Sequence, residues 1–474
     1  MSELSLGIHP NNPERGPLLY DPDGLLTYNP HGLVCGASGS GKTTLIKKII
    51  SYFESKRKHI IVFDLKGDMN IVNSEGEKVG NYISITSWES EYGISPFEFD
   101  TGVDLTRLKE IIDNKMDMSE DEDFKIKNSG PKMQVERFIE IIKKNFLPNM
   151  STNQKDVLAM LLLDTYKMKN IIYNKPETWT NELPSLNDTL TLLKQINMFA
   201  ACEDEVTIYD EDIMDYNIRF IKISKMIDSN KEQEVDCTEL EKELENLIGS
   251  FRKKIRDSKL NTKDTLTIEY YVSHGINLGD YNSNEIIRTL NKLSSYIKGL
   301  EKTGIFSAKK LPVKAGLNVI NLSGLEVATQ RFFVDVTLGN IFRACKIKGE
   351  YSKFKDKSRG DKVYMYVFID ESKLIAGSSK EKNDPYSYLN RIATESRAYG
   401  LGIFVAAQSA EHFPPEFLKN FYLQIILSTG VSDIDVVRKA FDINKELLKF
   451  TQNGWGNSLI KQGKNFNKIK LTLW

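Results

Sequence analysis

The eight residues GASGSGKT, Gly36–Thr43, constrain this chain more than any other stretch, because they fit the spacing G-x-x-x-x-G-K-[ST] without a mismatch. That pattern needs a buried strand ending at its first glycine and a helix starting at its lysine. Both flanks are legible: GLVC is a short apolar run before the loop, and TTLIKKIISYFESK after it has helical spacing. Glycines let such a loop curl until its N–H groups point inward, and the following helix adds the positive end of its dipole. The expected phosphate-binding residues are therefore Gly36, Ala37, Ser38, Gly39, Ser40, Gly41, Lys42, Thr43 and Thr44. Lys42 would bring a mobile charge to the β and γ phosphates of ATP, and Thr43 a hydroxyl to Mg²⁺. Motors, switches and kinases all use such a loop.

The surrounding pattern fixes the fold class. Apolar runs recur as IIVFD at 60–64, LNVINLSG at 317–324, VYMYVFIDE at 363–371, GIFVAAQ at 402–408 and FYLQIILST at 421–429. They are continuous and not alternating, which is how strands buried on both faces of a parallel sheet read. An α/β, doubly wound sheet is expected. Between about 105 and 305 the texture changes to charged segments of helical spacing, such as CTELEKELENLIGSFRKKIRDSKL. The expected organisation is a turn-rich lead-in at 1–30 packing on the core, core segments at 31–104 and 306–474, and a mainly helical insertion at 105–305.

Bulk composition removes several classes of function. With 64 Lys and Arg against 65 Asp and Glu, the formal charge is −1, so no overall basic field draws the molecule onto nucleic acid. The four cysteines, Cys35, Cys202, Cys237 and Cys345, have no metal-ligand spacing and no disulfide framework. No run approaches eighteen apolar residues and the N-terminus lacks the features of a signal peptide, so a cytoplasmic protein without membrane insertion is expected.

Hydrolysis of a nucleotide needs a carboxylate for the metal and a base for the attacking water. VYMYVFIDES ends a buried strand in Asp370 and Glu371, whose side chains would point to opposite sides of the strand end. Asp370 is expected to serve Mg²⁺, and Glu371 to act as the base. Gln408 closes the apolar strand GIFVAAQ at the edge where ligands bind in such sheets, placed to sense the γ-phosphate or position water. Asp64 and Lys66, in IIVFDLKGD, fall on the same edge, where an active-site role and a loop role are both open. No nuclease constellation is present.

Taken together, GASGSGKT, IIVFDLKGD, YVFIDES and ESRAYGLGIFVAAQSAEHFPPE resemble the HerA and FtsK superfamily of DNA-pumping ATPases, which includes conjugative coupling proteins and type IV secretion ATPases. The likeness covers 30–100 and 310–474, and the closing GWGNSLIKQGKNFNKIKL is similar to that family's final hairpin. The resemblance implies a RecA-like core of the additional-strand, catalytic-glutamate type, with the sensor glutamine at Gln408. It implies a homohexameric ring with ATP between neighbours, and an arginine reaching across that boundary. Arg397 matches this position, with Arg391 as the competing candidate. The helical segment is more similar to the secretion ATPases than to FtsK. The implied activity is translocation of double-stranded DNA, of the helicase or translocase type, serving a nuclease or effector in DNA processing or anti-phage defence. The alternatives are an ATP-dependent assembly switch and a secretion ATPase. SKFKDKSRGDK at 352–362 and AGSSKEKND at 376–384 are the candidate DNA-contacting loops.

Overall fold

The computed structural model describes residues 3–73, 75–87, 92–113, 118–201, 210–232, 236–257, 270–281, 283–306, 310–353, 362–371, 388–409, 413, 415–430 and 433–472. It divides into two compact units, Met1–Ile94 with Thr303–Trp474, and Ser95–Lys302. The first holds an 11-stranded sheet. In chain order its strands are β1 (Leu4–Ile8), β2 (Pro17–Tyr20), β3 (Gly32–Cys35), β4 (His59–Asp64), β5 (Asn81–Ser84), β6 (Leu317–Asn321), β7 (Met365–Ile369), β8 (Leu401–Ala407), β9 (Leu423–Ile426), β10 (Asn457–Gln462) and β11 (Phe466–Leu471).

The spatial order is β2-β1-β11-β10-β9-β3-β8-β7-β4-β6-β5. From β9 to β5 every pairing is parallel, and from β10 to β2 every pairing is antiparallel. The parallel part is the doubly wound sheet that the continuous apolar runs imply, and β8 lies between the phosphate-loop strand β3 and the carboxylate strand β7. The final hairpin β10–β11 continues the sheet beyond β9. Residues 1–30 depart from the expected turn-rich lead-in. β1 pairs with β11, and β2 with β1, so the N-terminal segment extends the sheet as its outermost strands. Leu6 is fully buried there while Leu19 remains exposed, the half-buried pattern of an edge that propensity for turns conceals.

Register aligns the strand ends. Cys35 lies opposite Ala407, Val405 opposite Ile369, and Ile369 opposite Phe63. The carboxyl ends of β3, β8, β7 and β4 therefore share one edge. Beneath it the helix α1 (Lys42–Ser55) buries Leu45, Ile46, Ile49, Ile50 and Phe53 against the sheet. The Phe53 ring lies 4.3 Å from that of Tyr366 and 5.4 Å from that of Phe404, which fixes α1 and the loop before it to β7 and β8.

The second unit is helical. Its helices include Pro131–Asn145, Thr152–Lys167, Leu186–Ala201, Thr238–Asp257 and Asn284–Lys302. Ser151 and Gln154 form a capping box at the start of Thr152–Lys167, and Asp164 on that helix accepts a hydrogen bond from the Tyr281 hydroxyl at 2.7 Å. The charged helix Thr238–Asp257 buries Leu247 and Phe251, and the Phe251 ring stacks on Tyr216 at 4.0 Å. The unit begins at Ser95, earlier than the texture change at 105, because the segment before that change is bonded into it: Phe97 accepts from Tyr166, and Asp100 from the N–H of Gly130.

Candidate active site

The loop between β3 and α1 is held at both sides. Gly36 N–H donates to the Ala407 carbonyl at 3.1 Å, and Ala37 N–H to the Ser428 carbonyl at 2.7 Å. Gly41 caps α1 with φ 95°, a left-handed conformation that a residue with a Cβ adopts only under strain. This turn directs the first-turn N–H groups of α1, which have no partner within the helix, into the loop. Lys42 is buried, and its ammonium donates to the carbonyls of Gly36 at 2.7 Å and Ala37 at 2.8 Å. Burial lowers the Lys42 pKa, with the Glu371 and Asp370 carboxylates acting in the opposite direction. The ammonium thus lies folded across the concavity that the loop backbone encloses.

Thr43 and the β7 carboxylates face this loop. The Thr43 hydroxyl donates to Asp370 Oδ2 at 3.2 Å, while Asp370 Oδ1 is buried without a partner among the described residues. Burial raises the Asp370 pKa, opposed by Lys66 and by the Thr43 hydroxyl. An unpartnered carboxylate oxygen beside a threonine hydroxyl, next to a loop of inward N–H groups, fits a divalent cation carried by a phosphate chain.

Glu371 is the strained residue of the site. Its φ is 67°, a left-handed value that costs on the order of 1–2 kcal/mol for a residue other than glycine. Its Oε2 accepts from Lys66 Nζ at 2.8 Å and from Gln408 Nε2 at 3.2 Å. Burial works against the charge of Lys66, yet Glu371, Asp370 and Asp68 together raise its pKa above the usual lysine value. Asp64 has a different duty. Its carboxylate accepts from the N–H groups of Lys66, Gly67, Asp68 and Met69 and so fixes the turn that presents Lys66.

The structure thus brings Lys42, Thr43, Asp370, Glu371 and Gln408 together with Lys66. Arg397 is elsewhere. It lies in the short helical turn Ser396–Tyr399 that precedes β8, at the opposite end of the strand from Gln408. Its side chain is exposed, and among the described residues no carboxylate pairs with it. Arg391 is committed locally, to Glu395 at 3.3 Å and over the Phe342 ring at 5.4 Å. Of the two basic loops, 354–361 and 376–384 lie outside the described residues. Lys362, at the end of the first, donates through Nζ to the carbonyl of Thr27 and through its N–H to Asp23. It anchors the turn before β3 and is not a free basic side chain. One residue with no sequence signal stands close by: His31 is fully buried, and its Nδ1 accepts the N–H of Ile403 at 3.1 Å.

A family model described as "Helicase HerA, central domain" matches residues 21–210. VirB4 of Thermoanaerobacter pseudethanolicus is similar in structure with a TM-score of 0.60 at 13% identity, over 99% of this chain and 96% of that one. The bacterial conjugative coupling protein TrwB matches at a TM-score of 0.49 and 11% identity, over 99% of this chain and 88% of that one. No curated protein matches. No described helix is long and apolar enough to cross a membrane. The loop and the strand β8 beside it thus accompany a match to a HerA central-domain model over residues 21–210 and a fold similar to that of VirB4.

Proposed function

We propose that the chain is an ATP-hydrolysing motor that moves double-stranded DNA, working as a homohexameric ring in the cytoplasm. The observation that carries the reading is the convergence of Lys42, Thr43, Asp370, Glu371 and Gln408 at one sheet edge, contributed by three strand ends. The loop N–H groups and Lys42 would hold the phosphates of ATP, with Thr43 and Asp370 holding Mg²⁺. The cation, when bound, neutralises charge developing on the transferred phosphoryl group. Glu371 takes the proton of the attacking water, and Gln408 orients that water beside it. Lys42 leaves its two carbonyls to meet phosphate, exchanging neutral acceptors for a charged one.

Arg397 completes the site from a neighbouring subunit. Seven residues of β8 separate it from the loop edge of its own chain, roughly 20 Å at the usual rise per residue. It therefore serves a site other than its own. Leu25, 99% exposed on the wall of the same surface cavity as Arg397, gives that face an apolar contact for the neighbour to cover. A ring supplies six copies of a modest basic loop to a pore, so a formal charge of −1 is compatible with DNA. A nuclease or effector partner in DNA processing or anti-phage defence would use the motor.

A second reading, an ATPase serving secretion or conjugation, has in its favour the whole-chain likeness to VirB4. Hydrolysis measured with and without duplex DNA separates the two. The motor on DNA predicts stimulation by duplex, reduced at high salt. Strong hydrolysis indifferent to DNA would favour the secretion ATPase, and no hydrolysis under any condition would favour an assembly switch.

A further inference from the structure

On the side of β3 away from β8, the edge of the sheet that holds the phosphate loop continues over β9 and β10. The Ser428 carbonyl, just beyond β9, accepts the Ala37 N–H of the loop. Thr429 follows it. That residue is 5% exposed, and its hydroxyl is buried without a hydrogen-bond partner among the described residues. A hydroxyl buried in this way is unfavourable until something bonds to it. The Thr429 carbonyl accepts from Gln452 Nε2 at 3.4 Å, which ties this position to the end of the helix Lys445–Gln452. Three residues later comes Trp455, in the turn that leads into β10. Because Leu459 lies opposite Ile426 in the antiparallel pairing, Asn457 reaches the level of Ser428, and the turn before it stands at the same edge as the loop.

The turn is held firmly while the ring it presents is open. The Gly454 carbonyl accepts from the N–H of Asn457 at 3.2 Å, the Gly456 carbonyl from the N–H of Leu471 at 2.8 Å, and the Trp455 carbonyl from the Lys470 ammonium. Trp455 is nevertheless 63% exposed. An indole fixed at its backbone and open at its face loses little freedom when a planar ring stacks on it. The turn is two strand spacings from β3, about 10 Å, a span that the α-phosphate and ribose of a nucleotide bridge. On the helix side, Lys48 of α1 donates to the Thr472 carbonyl beyond β11, holding α1 against the same margin. Resting on the reading of the loop as an ATP site, we propose that Trp455 and Thr429 form its nucleobase subsite: the indole stacks on a purine ring, and the Thr429 hydroxyl hydrogen-bonds the nucleoside. A hydroxyl donates or accepts by rotating, so Thr429 suits either purine, and the preference for purine over pyrimidine comes from the area stacked on Trp455.

Calorimetric binding of a non-hydrolysable ATP analogue with Mg²⁺, set beside binding of inorganic tripolyphosphate with Mg²⁺, separates this subsite from the phosphate loop without requiring turnover. On the full chain, Trp455→Ala should weaken the analogue about tenfold and leave tripolyphosphate within about twofold. Trp455→Phe should recover most of the loss. Thr429→Val, which keeps the shape and removes the hydroxyl, should weaken the analogue about three- to tenfold with tripolyphosphate again unchanged. The unaltered chain should bind the ATP analogue more tightly than the matching CTP analogue, and Trp455→Ala should lose that preference. Equal losses for the ATP analogue and tripolyphosphate would mean that the variants disturb the loop, and would overturn the proposal, as would full affinity of Trp455→Ala for the analogue. Failure of the ATP reading itself would appear separately, as no binding of either ligand to the unaltered chain, and would overturn both.

Discussion

Single residues set the chemical state of this fold, and His31 shows how. Burial pushes its pKa down to about 3 from 6.5, with the charge of Arg397 adding to the effect. Its Nδ1 accepts the Ile403 N–H, so the folded chain holds a neutral ring with the proton on Nε2. The unfolded chain takes up a proton below 6.5 and the folded chain does not. Stability is therefore complete above pH 6.5 and falls as pH drops from there toward 3, at about 1.4 kcal/mol per unit. About 2 kcal/mol should be lost by pH 5. His31→Asn, which keeps an acceptor near Nδ1, should remove this part of the acid sensitivity when melting midpoints at pH 7.5 and 5.0 are compared. An unchanged difference would mean the folded ring takes up a proton. At the loop, Lys42→Ala should weaken binding of a fluorescent ATP analogue by about 2–3 kcal/mol, the scale of a lost charge-assisted contact to phosphate.

Elements carry these residues to their places, and the elements were unequally legible. Strands β3, β4, β6, β7, β8 and β9 announce themselves as continuous apolar runs because both of their faces are covered. β5, β1 and β2 do not, since each has exposed positions among its buried ones and lies at or beyond a sheet margin. The site was readable where a motif names a residue type, as at Thr43, Asp370 and Gln408. The Lys66–Glu371 contact joins positions 305 apart in the chain, and only the parallel register of β4 and β7 brings them together. The same register leaves little tolerance in β3. A Cβ on Gly32 would stand 2.1 Å from Phe404 Cε1 on β8. Gly32→Ala should cost about 1–3 kcal/mol of unfolding stability, measured as a lowered melting midpoint, as overpacking between paired strands requires. A midpoint equal to the unaltered chain's would show that β3 and β8 can separate freely.

At the scale of the whole molecule, the proposed site draws on residues that lie far apart within one chain. Lys42 and Glu371 lie at one edge of the sheet and Arg397 at the other, so a site that uses Arg397, as proposed, would need two copies. Chains carrying Lys42→Ala and chains carrying Arg397→Ala should each be inactive alone, and their mixture should recover part of the ATPase activity. Failure to recover any would move the trans-acting role away from Arg397. Beneath it stands the proposed role of Glu371 as the base of an ATP-hydrolysing site built on the loop at Gly36–Thr43. The direct measurement is ATP turnover by Glu371→Gln beside its affinity for an ATP analogue with Mg²⁺. With Glu371 as the base, kcat should fall about 10²- to 10⁴-fold with binding retained within a few fold. Turnover equal to that of the unaltered chain would contradict it.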